Sequence, residues 1–331
     1  MKLKKCAALL LVSSCLLTGC TTSSAKKVDS KYVVASLEKG NKTKNIFADN
    51  LYKDIIDNSS NNSTVFNAVL QNLVDQKFPV NDDMKEDAAT IIKQIKSAYK
   101  SNYGDNYKDS LNQALTSAGY KNLSEYRQKM IKQIQYANFL LDYIDDHFDD
   151  VFNDYYQQCA PKYVSLIKIS VSDTSSPTDD ETSKLNEVKE LISNTDKSFG
   201  DIAQDYSNDS TSSKKGSLGI VDSKDTSGIA NSYGKDVFNV IKALSEGQVS
   251  DVITGDDGYY FVKVTSTDKK TLKKELKKTD IDSPLLAYDD YLQYVVYNSY
   301  KINYKDKDIK KIVQEVVNKA LEERKTERGE A

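Results

Sequence analysis

The chain has 331 residues, of which 39% are hydrophobic and 29% charged, a balance compatible with folded protein and a length that allows about two domains. Its formal net charge of −3 argues against nucleic acid as a partner. With four cysteines and one histidine, His147, the chain lacks the ligands for a structural zinc site, and we expect no metal and no other cofactor.

The N-terminus has the pattern of an export signal. Three lysines precede an apolar run of about a dozen residues, which is too short to span a bilayer. The run closes on Leu17-Thr18-Gly19-Cys20, which resembles the lipobox of bacterial lipoproteins, where cleavage precedes the cysteine and its sulfur carries a diacylglyceryl group. We therefore expect residues 1–19 to be removed and Cys20 to be the lipid attachment site. The alternative is an ordinary signal peptide or membrane anchor with a chance cysteine.

Removal of the signal leaves a net charge of about −6 and one unmodified cysteine, Cys159. No intramolecular disulfide can then form. Because the single histidine lies elsewhere, in an acidic helical stretch, we interpret Cys159 as an incidental residue rather than a nucleophile.

Residues 20–29 are small and polar and read as a tether, and residues 30–160 read as helical. Ser63 is a plausible N-cap for a helix, a second helix ends at Gly119, and a third starts after Ser124. The apolar stripe of the third helix runs from Tyr126 to Ile144 and requires partner helices.

The pattern changes at Pro161. Residues 163–171 have the β-branched content of a strand, Ser198 caps a short helix with Asp201 three residues on, and residues 259–265 form a last strand after a hairpin signal at Asp257-Gly258. These elements predict a compact α+β unit of about a hundred residues. Beyond it, Ser283-Pro284 predicts a helix start. A final apolar stripe runs from Ile309 to Leu321.

Two stretches, "FGDIAQDYSNDSTSSKKGSLG" and "LSEGQVSDVITGDDGYYFVKV", resemble the parvulin-type prolyl isomerase domain in order and spacing, over residues 162–267. With the lipobox, "VFNAVLQNLVDQKF", "YGDNYKDSLNQAL" and a helical C-terminus, the chain is similar to the PrsA foldase lipoproteins of Gram-positive bacteria. The resemblance implies an α+β fold, with a parvulin-like domain of antiparallel sheet and helices inserted in a helical SurA/PrsA-like chaperone domain. Residues 30–160 and 268–331 would form that second domain.

The resemblance also identifies the candidate catalytic positions. Active parvulin domains carry two facing histidines, in "ASHILV" and "GYHIIKV", and this chain has Leu166 and Tyr260 at those positions. The family also has an acidic or thiol side chain in the loop that follows the short helix, and this chain retains an acidic one there, Asp209. A prolyl bond rotates over a barrier of roughly 20 kcal/mol, and a catalyst lowers it with a partly dry pocket and hydrogen bonds rather than by moving a proton. Tyr260 can supply one donor and Leu166 none, so we expect weak or absent isomerase activity.

The leading functional hypothesis is a membrane-anchored extracellular foldase that assists secreted proteins after translocation, with a degenerate isomerase domain. The alternatives are a working prolyl isomerase that uses Tyr260 and Asp209, and a non-enzymatic surface lipoprotein such as an adhesin or scaffold. The expected partners are unfolded or partly folded secreted chains and the membrane. A second copy of this chain, in a homodimer, is also compatible with the sequence.

Overall fold

The computed structural model describes residues 27–39, 42–277 and 280–330. The predicted signal peptide, residues 1–19, and the predicted lipid site Cys20 therefore lie outside the described residues. The described residues form seven strands, which are β1 Lys27–Val28, β2 Lys31–Lys39, β3 Lys42–Phe47, β4 Lys162–Ser170, β5 Ser217–Val221, β6 Ile253–Gly255 and β7 Gly258–Ser266. The helices before the central sheet are α1 Ala48–Asp57, α2 Asn62–Lys77, α3 Asp82–Tyr103, α4 Tyr107–Ser117, α5 Leu123–Asp146 and α6 Phe148–Cys159. Those within and after it are α7 Asp179–Asn194, α8 Phe199–Tyr206, α9 Ile229–Tyr233, α10 Lys235–Ala243, α11 Lys269–Leu276, α12 Leu292–Ser299 and α13 Lys307–Glu327.

The first described residues form a small antiparallel sheet in the order β1-β2-β3, where the sequence was read as tether and helix. The pairing runs from Lys27 opposite Tyr32 to Val33 opposite Phe47. Tyr, Val, Ile and Phe favour extended backbone, and the β-branched and aromatic residues of this stretch were the missed signal.

The helices that follow begin at side-chain caps. The Asn81 side chain accepts from the Met84 amide at the start of α3, and Asn122 accepts from the Glu125 amide at the start of α5. The sequence predicted α5 but placed its start after Ser124 rather than at Leu123, and it did not predict α3. Helices α3, α4 and α5 bury a common apolar core, whose members are Met84, Ala88, Ile92, Ile95, Leu111, Leu115, Tyr126, Met130, Ile131 and Ile134.

A four-stranded antiparallel sheet in the order β5-β4-β7-β6 forms the centre of the parvulin-like domain. Its side chains alternate between two apolar layers. One layer packs around α9 and α10 and includes Leu166 and Tyr260, and the other packs around α7 and α8 and includes Phe261. The predicted antiparallel α+β architecture is confirmed, and so is the Ser198 cap, whose hydroxyl oxygen accepts from the Asp201 amide at 3.1 Å.

The chain divides into two compact units. One contains Val80–Asp290, so α3 to α6 share a unit with the central sheet, and the other contains the described residues up to 79 together with those from Tyr291 onwards. In the second unit α2 packs on α13, so helices from both flanks of the parvulin-like domain meet. The predicted start at Ser283-Pro284 is only a 3-10 turn, Pro284–Leu286, and the helix begins at Leu292.

No helix among the described residues is long and apolar enough to cross a membrane. In the same residues, no group of His, Cys, Asp or Glu side chains has the arrangement of a metal site. Cys159 is the last residue of α6 and is fully buried.

Candidate functional site

Two neighbouring strands carry the positions of the missing histidines. Leu166 of β4 lies opposite Val262 of β7, and Tyr260 lies opposite Lys168. Leu166 and Tyr260 are therefore diagonal neighbours on one face of the sheet, at the distance where long side chains still interact. The strand positions that the resemblance implies are thus brought together.

A glycine allows the loop before β5 to approach Leu166. The Leu166 amide donates to the Gly216 carbonyl at 2.8 Å, and Gly216 has a φ of +76°. A Cβ at Gly216 would lie 2.5 Å from the Leu166 carbonyl oxygen and 2.8 Å from Cβ of Ala203. Only glycine fits there, because the position combines left-handed backbone with close contact. Gly216 therefore lets this loop lie directly against the backbone of Leu166.

Leu166 contributes apolar surface and nothing polar. Its side chain is fully buried among aliphatic and aromatic neighbours such as Val262, Ile229 and Phe238. Where the resembling domains place an imidazole, this chain has an apolar side chain at the centre of a packed layer.

Asp209 lies at the site but its carboxylate is largely occupied by its own loop. It is 3% exposed, and its Oδ1 atom accepts from the amide and the hydroxyl of Thr211 at 2.8 and 2.7 Å. This is the local pattern of an Asx turn. The Tyr233 hydroxyl also donates to Oδ1, at 3.4 Å. Burial, and then the negative charge of Asp209, raises the pKa of Tyr233 above its ordinary value.

Tyr260 is held in place from three sides. Its hydroxyl donates to Oδ1 of Asp257, and the Lys168 ammonium lies 2.5 Å from Oδ2 of Asp257 and 5.6 Å from the centre of the Tyr260 ring. The Tyr233 ring meets the Tyr260 ring edge-on, with 6.1 Å between centres. Burial and the hydrogen bond to Asp257 raise the pKa of Tyr260 above its ordinary value.

The arrangement limits what this site does chemically. The Tyr260 hydroxyl proton is committed to Asp257, the Tyr233 proton is directed at Asp209, and Leu166 has none to give. A twisted prolyl amide needs hydrogen bonds that strengthen in the transition state. To donate to such an amide, Tyr260 must first release Asp257.

Three residues of this cluster were missed by sequence reasoning: Lys168, Tyr233 and Asp257. Lys168 follows Leu166 by two residues on the same strand, and the two-residue period of a strand was a usable signal for it. Asp257 was interpreted only as a turn residue. Tyr233 had no local signal, because its contact with Tyr260 depends on how α9 packs on the sheet.

Comparison with known proteins shows which proteins this chain resembles. Residues 166–266 match the Rotamase family model, a PPIC-type PPIASE domain. Among curated proteins, "Foldase protein PrsA" of Staphylococcus epidermidis is 32% identical over 141 residues, and that of Staphylococcus aureus strain RF122 is 31% identical over the same length. The match covers 40% of this chain and 41% of either relative. The chain thus spans less than half the length of the curated relatives it matches.

Among solved structures, PrsA from Bacillus subtilis is 20% identical, with a TM-score of 0.40, over 86% of this chain and 98% of that one. Foldase protein PrsA from Streptococcus pneumoniae is also 20% identical, with a TM-score of 0.39, over 85% of this chain and 99% of that one. The family and curated matches confirm the predicted resemblance to PrsA-type foldases with a parvulin domain.

Proposed function

We propose that this chain, which carries a PPIC-type domain and is similar to the PrsA foldases, is a lipid-anchored extracellular foldase that holds secreted proteins during folding and whose isomerase site is degenerate. Its clients are unfolded or partly folded secreted chains. The observation that carries the proposal is the filled site: Leu166 is fully buried, and Tyr260 is 2% exposed with its hydroxyl bound to Asp257. A site closed in this way favours holding over catalysis.

The helical unit formed by the two ends of the chain is the proposed holding domain. Phe66 of α2 is fully buried, its ring stacks on Tyr294 at 5.0 Å between centres, and it meets Tyr297 edge-on at 5.1 Å. Val313 of α13 is 1% exposed. Client binding requires this unit to be intact, because binding without a fixed sequence relies on apolar area held in place by a folded scaffold.

Aggregation of an unfolded client, measured by light scattering with and without the mature protein, tests the holding function. We expect suppression by the wild type, by Asp209→Ala and by Gln314→Asp, and its loss in Val313→Asp. Gln314 is the exposed neighbour of Val313 and receives the same charge, so it controls for charge alone. Failure of the wild type to suppress aggregation would overturn the proposal and favour a non-enzymatic surface lipoprotein.

The lipid anchor is tested separately. Cys20→Ala should release the protein from the membrane fraction or leave it unprocessed, because the proposed acyl chains attach to that sulfur. A processed Cys20→Ala protein that stays on the membrane would contradict the anchor. It would leave the holding function intact.

Retained isomerase activity is the second candidate function, and one observation favours it. The side-chain hydrogen bonds that Asp209 accepts from Thr211 and Tyr233 all end on Oδ1, and none of them uses Oδ2. Isomerisation of a proline peptide should then be fast in the wild type and slow in Asp209→Ala. We expect instead a slow wild type.

A further inference from the structure

Exposed apolar side chains concentrate in one part of the molecule. Among the described residues, seven large hydrophobic side chains are exposed, and six of them lie in β2, β3 and α1. We call these six the N-terminal apolar patch: Tyr32, Val34, Ile46, Leu51, Tyr52 and Ile55. The three elements contact one another within one unit, so the patch is a local surface rather than scattered positions.

Helix α1 is amphipathic but buries none of its residues. Leu51, Tyr52 and Ile55 follow helical spacing and lie on one side, and they are 45%, 42% and 46% exposed. Helix α2, in the same unit, buries four side chains. An amphipathic helix with an uncovered apolar side is the form in which helices bind at a membrane interface.

The proposed anchor places this patch close to the bilayer. Six residues lie between Cys20 and Lys27, the first residue of β1, and the seven Cα–Cα steps span at most about 25 Å when fully extended. Tyr32 follows five residues later. A lipid on Cys20 would therefore keep the start of the sheet close to the lipid headgroups.

The segment that carries the patch is less acidic than the chain as a whole, although Asp306 of the same unit accepts a hydrogen bond from the Tyr52 hydroxyl. Residues 27–57 contain six lysines and five acidic residues, whereas the whole chain has a net charge of −3. The Lys27 ammonium lies 4.5 Å from the centre of the Tyr32 ring. Tyrosine and lysine are both suited to a water–lipid boundary, since each has an apolar body and a polar tip.

We propose that the N-terminal apolar patch rests on the lipid surface and acts as a second, non-covalent contact beside the acyl chains. The inference depends on the lipid anchor of the proposed function. The two chains of a diacylglyceryl group anchor the N-terminus stably, but an anchor at one residue does not fix how the protein is oriented on the bilayer. Added protein contact would hold the helical unit at the membrane in a fixed orientation. Anionic phospholipid headgroups with their acyl boundary are the partner.

The test attaches the mature chain through Cys20 to a maleimide lipid in phosphatidylcholine vesicles containing phosphatidylglycerol. Cys159 is fully buried and should not react. Tryptic cleavage at Lys31, Lys44 and Lys53 should be about tenfold slower on vesicles than in solution, because the patch is covered. In Leu51→Gln/Ile55→Gln this protection should disappear. Tyr103→Gln, which changes a 53% exposed side chain of α3 outside the patch, should keep it.

Equal cleavage of the parent protein on vesicles and in solution would overturn the inference. So would protection retained in the double variant. Aggregation suppression in solution, measured on the same variants, separates this inference from the holding function, which uses no lipid. If the double variant loses aggregation suppression but keeps its protection on vesicles, the patch binds clients instead of lipid. If the double variant loses a dimer seen for the parent protein by sedimentation and keeps its protection, the patch binds a second copy of the chain.

Discussion

Restoring the two histidines tests directly why the isomerase site should be weak. Leu166→His and Tyr260→His, made singly and together, place imidazoles on two diagonal positions of one sheet face. If the histidines act as one hydrogen-bonded pair, only the double variant should gain activity, by at least about tenfold. That gain corresponds to about 1.4 kcal/mol off the barrier, the contribution of one hydrogen bond made in the transition state.

The structure sets the cost in stability. Leu166 is fully buried, so Leu166→His should lower the free energy of unfolding by about 2 kcal/mol through lost apolar burial. The cost rises by roughly 1–3 kcal/mol if the imidazole N–H has no hydrogen-bond partner. Tyr260→His loses the bond to Asp257 and the ring contact with Tyr233, about 2 kcal/mol together. A hydrogen bond between the two imidazoles would return about 1 kcal/mol in the double variant, as a coupling energy.

Isomerisation of a proline peptide, followed by NMR exchange, gives the rates, and urea unfolding of the same proteins gives the folded fraction. A double variant that is folded but no faster than wild type would show that the missing histidines do not account for the slow rate. A wild type as fast as an ordinary parvulin would refute degenerate catalysis altogether.

Three further predictions follow from individual contacts. Tyr155→Phe removes the 2.9 Å hydrogen bond to the buried Asp222 carboxylate and should lower the free energy of unfolding by about 1.5–3 kcal/mol in urea titrations. The control Tyr103→Phe changes an exposed tyrosine and should leave the free energy of unfolding unchanged. Gly216→Ala should lower the free energy of unfolding, measured by thermal unfolding, by about 2–4 kcal/mol. Gly219→Ala should lower it by about 1 kcal/mol, because Gly219 has a similar φ of +82° but its Cβ would meet nothing within 4 Å. Equal losses in the two variants would refute the steric argument. Burial raises the pKa of Tyr155, Tyr233 and Tyr260 above the value of about 10 expected in the unfolded chain, so their contribution to stability is complete below pH 10 and is lost as the pH rises above it. Alkaline unfolding, followed by circular dichroism and tyrosinate absorbance, should therefore begin above pH 10. If all tyrosines ionise at their ordinary pKa in the folded protein, this prediction is wrong.

Elements with strong local signals were predictable from the sequence. Strand β4 is rich in β-branched and apolar residues, and Ser198 specifies a helix start by accepting a hydrogen bond from the Asp201 amide. Strand β5 was missed because it is short and begins beside glycine. Its existence depends on pairing with β4, from Lys162 opposite Val221 to Ser165 opposite Ser217. The three-stranded sheet at the N-terminus was missed although its residues favour strands, because the stretch was read as a continuation of the tether and helices.

The amino-acid sequence by itself determined that no histidine pair exists at this site, because the chain contains a single histidine and no choice of register can add another. Only the tertiary structure decided what stands in for that pair. Whether the Tyr260 hydroxyl is available depends on Asp257, on the hairpin turn before β7, and on Tyr233, brought over the ring by α9. A residue count needs no geometry, but a hydrogen bond forms only where packing brings donor and acceptor within about 3 Å in the right direction.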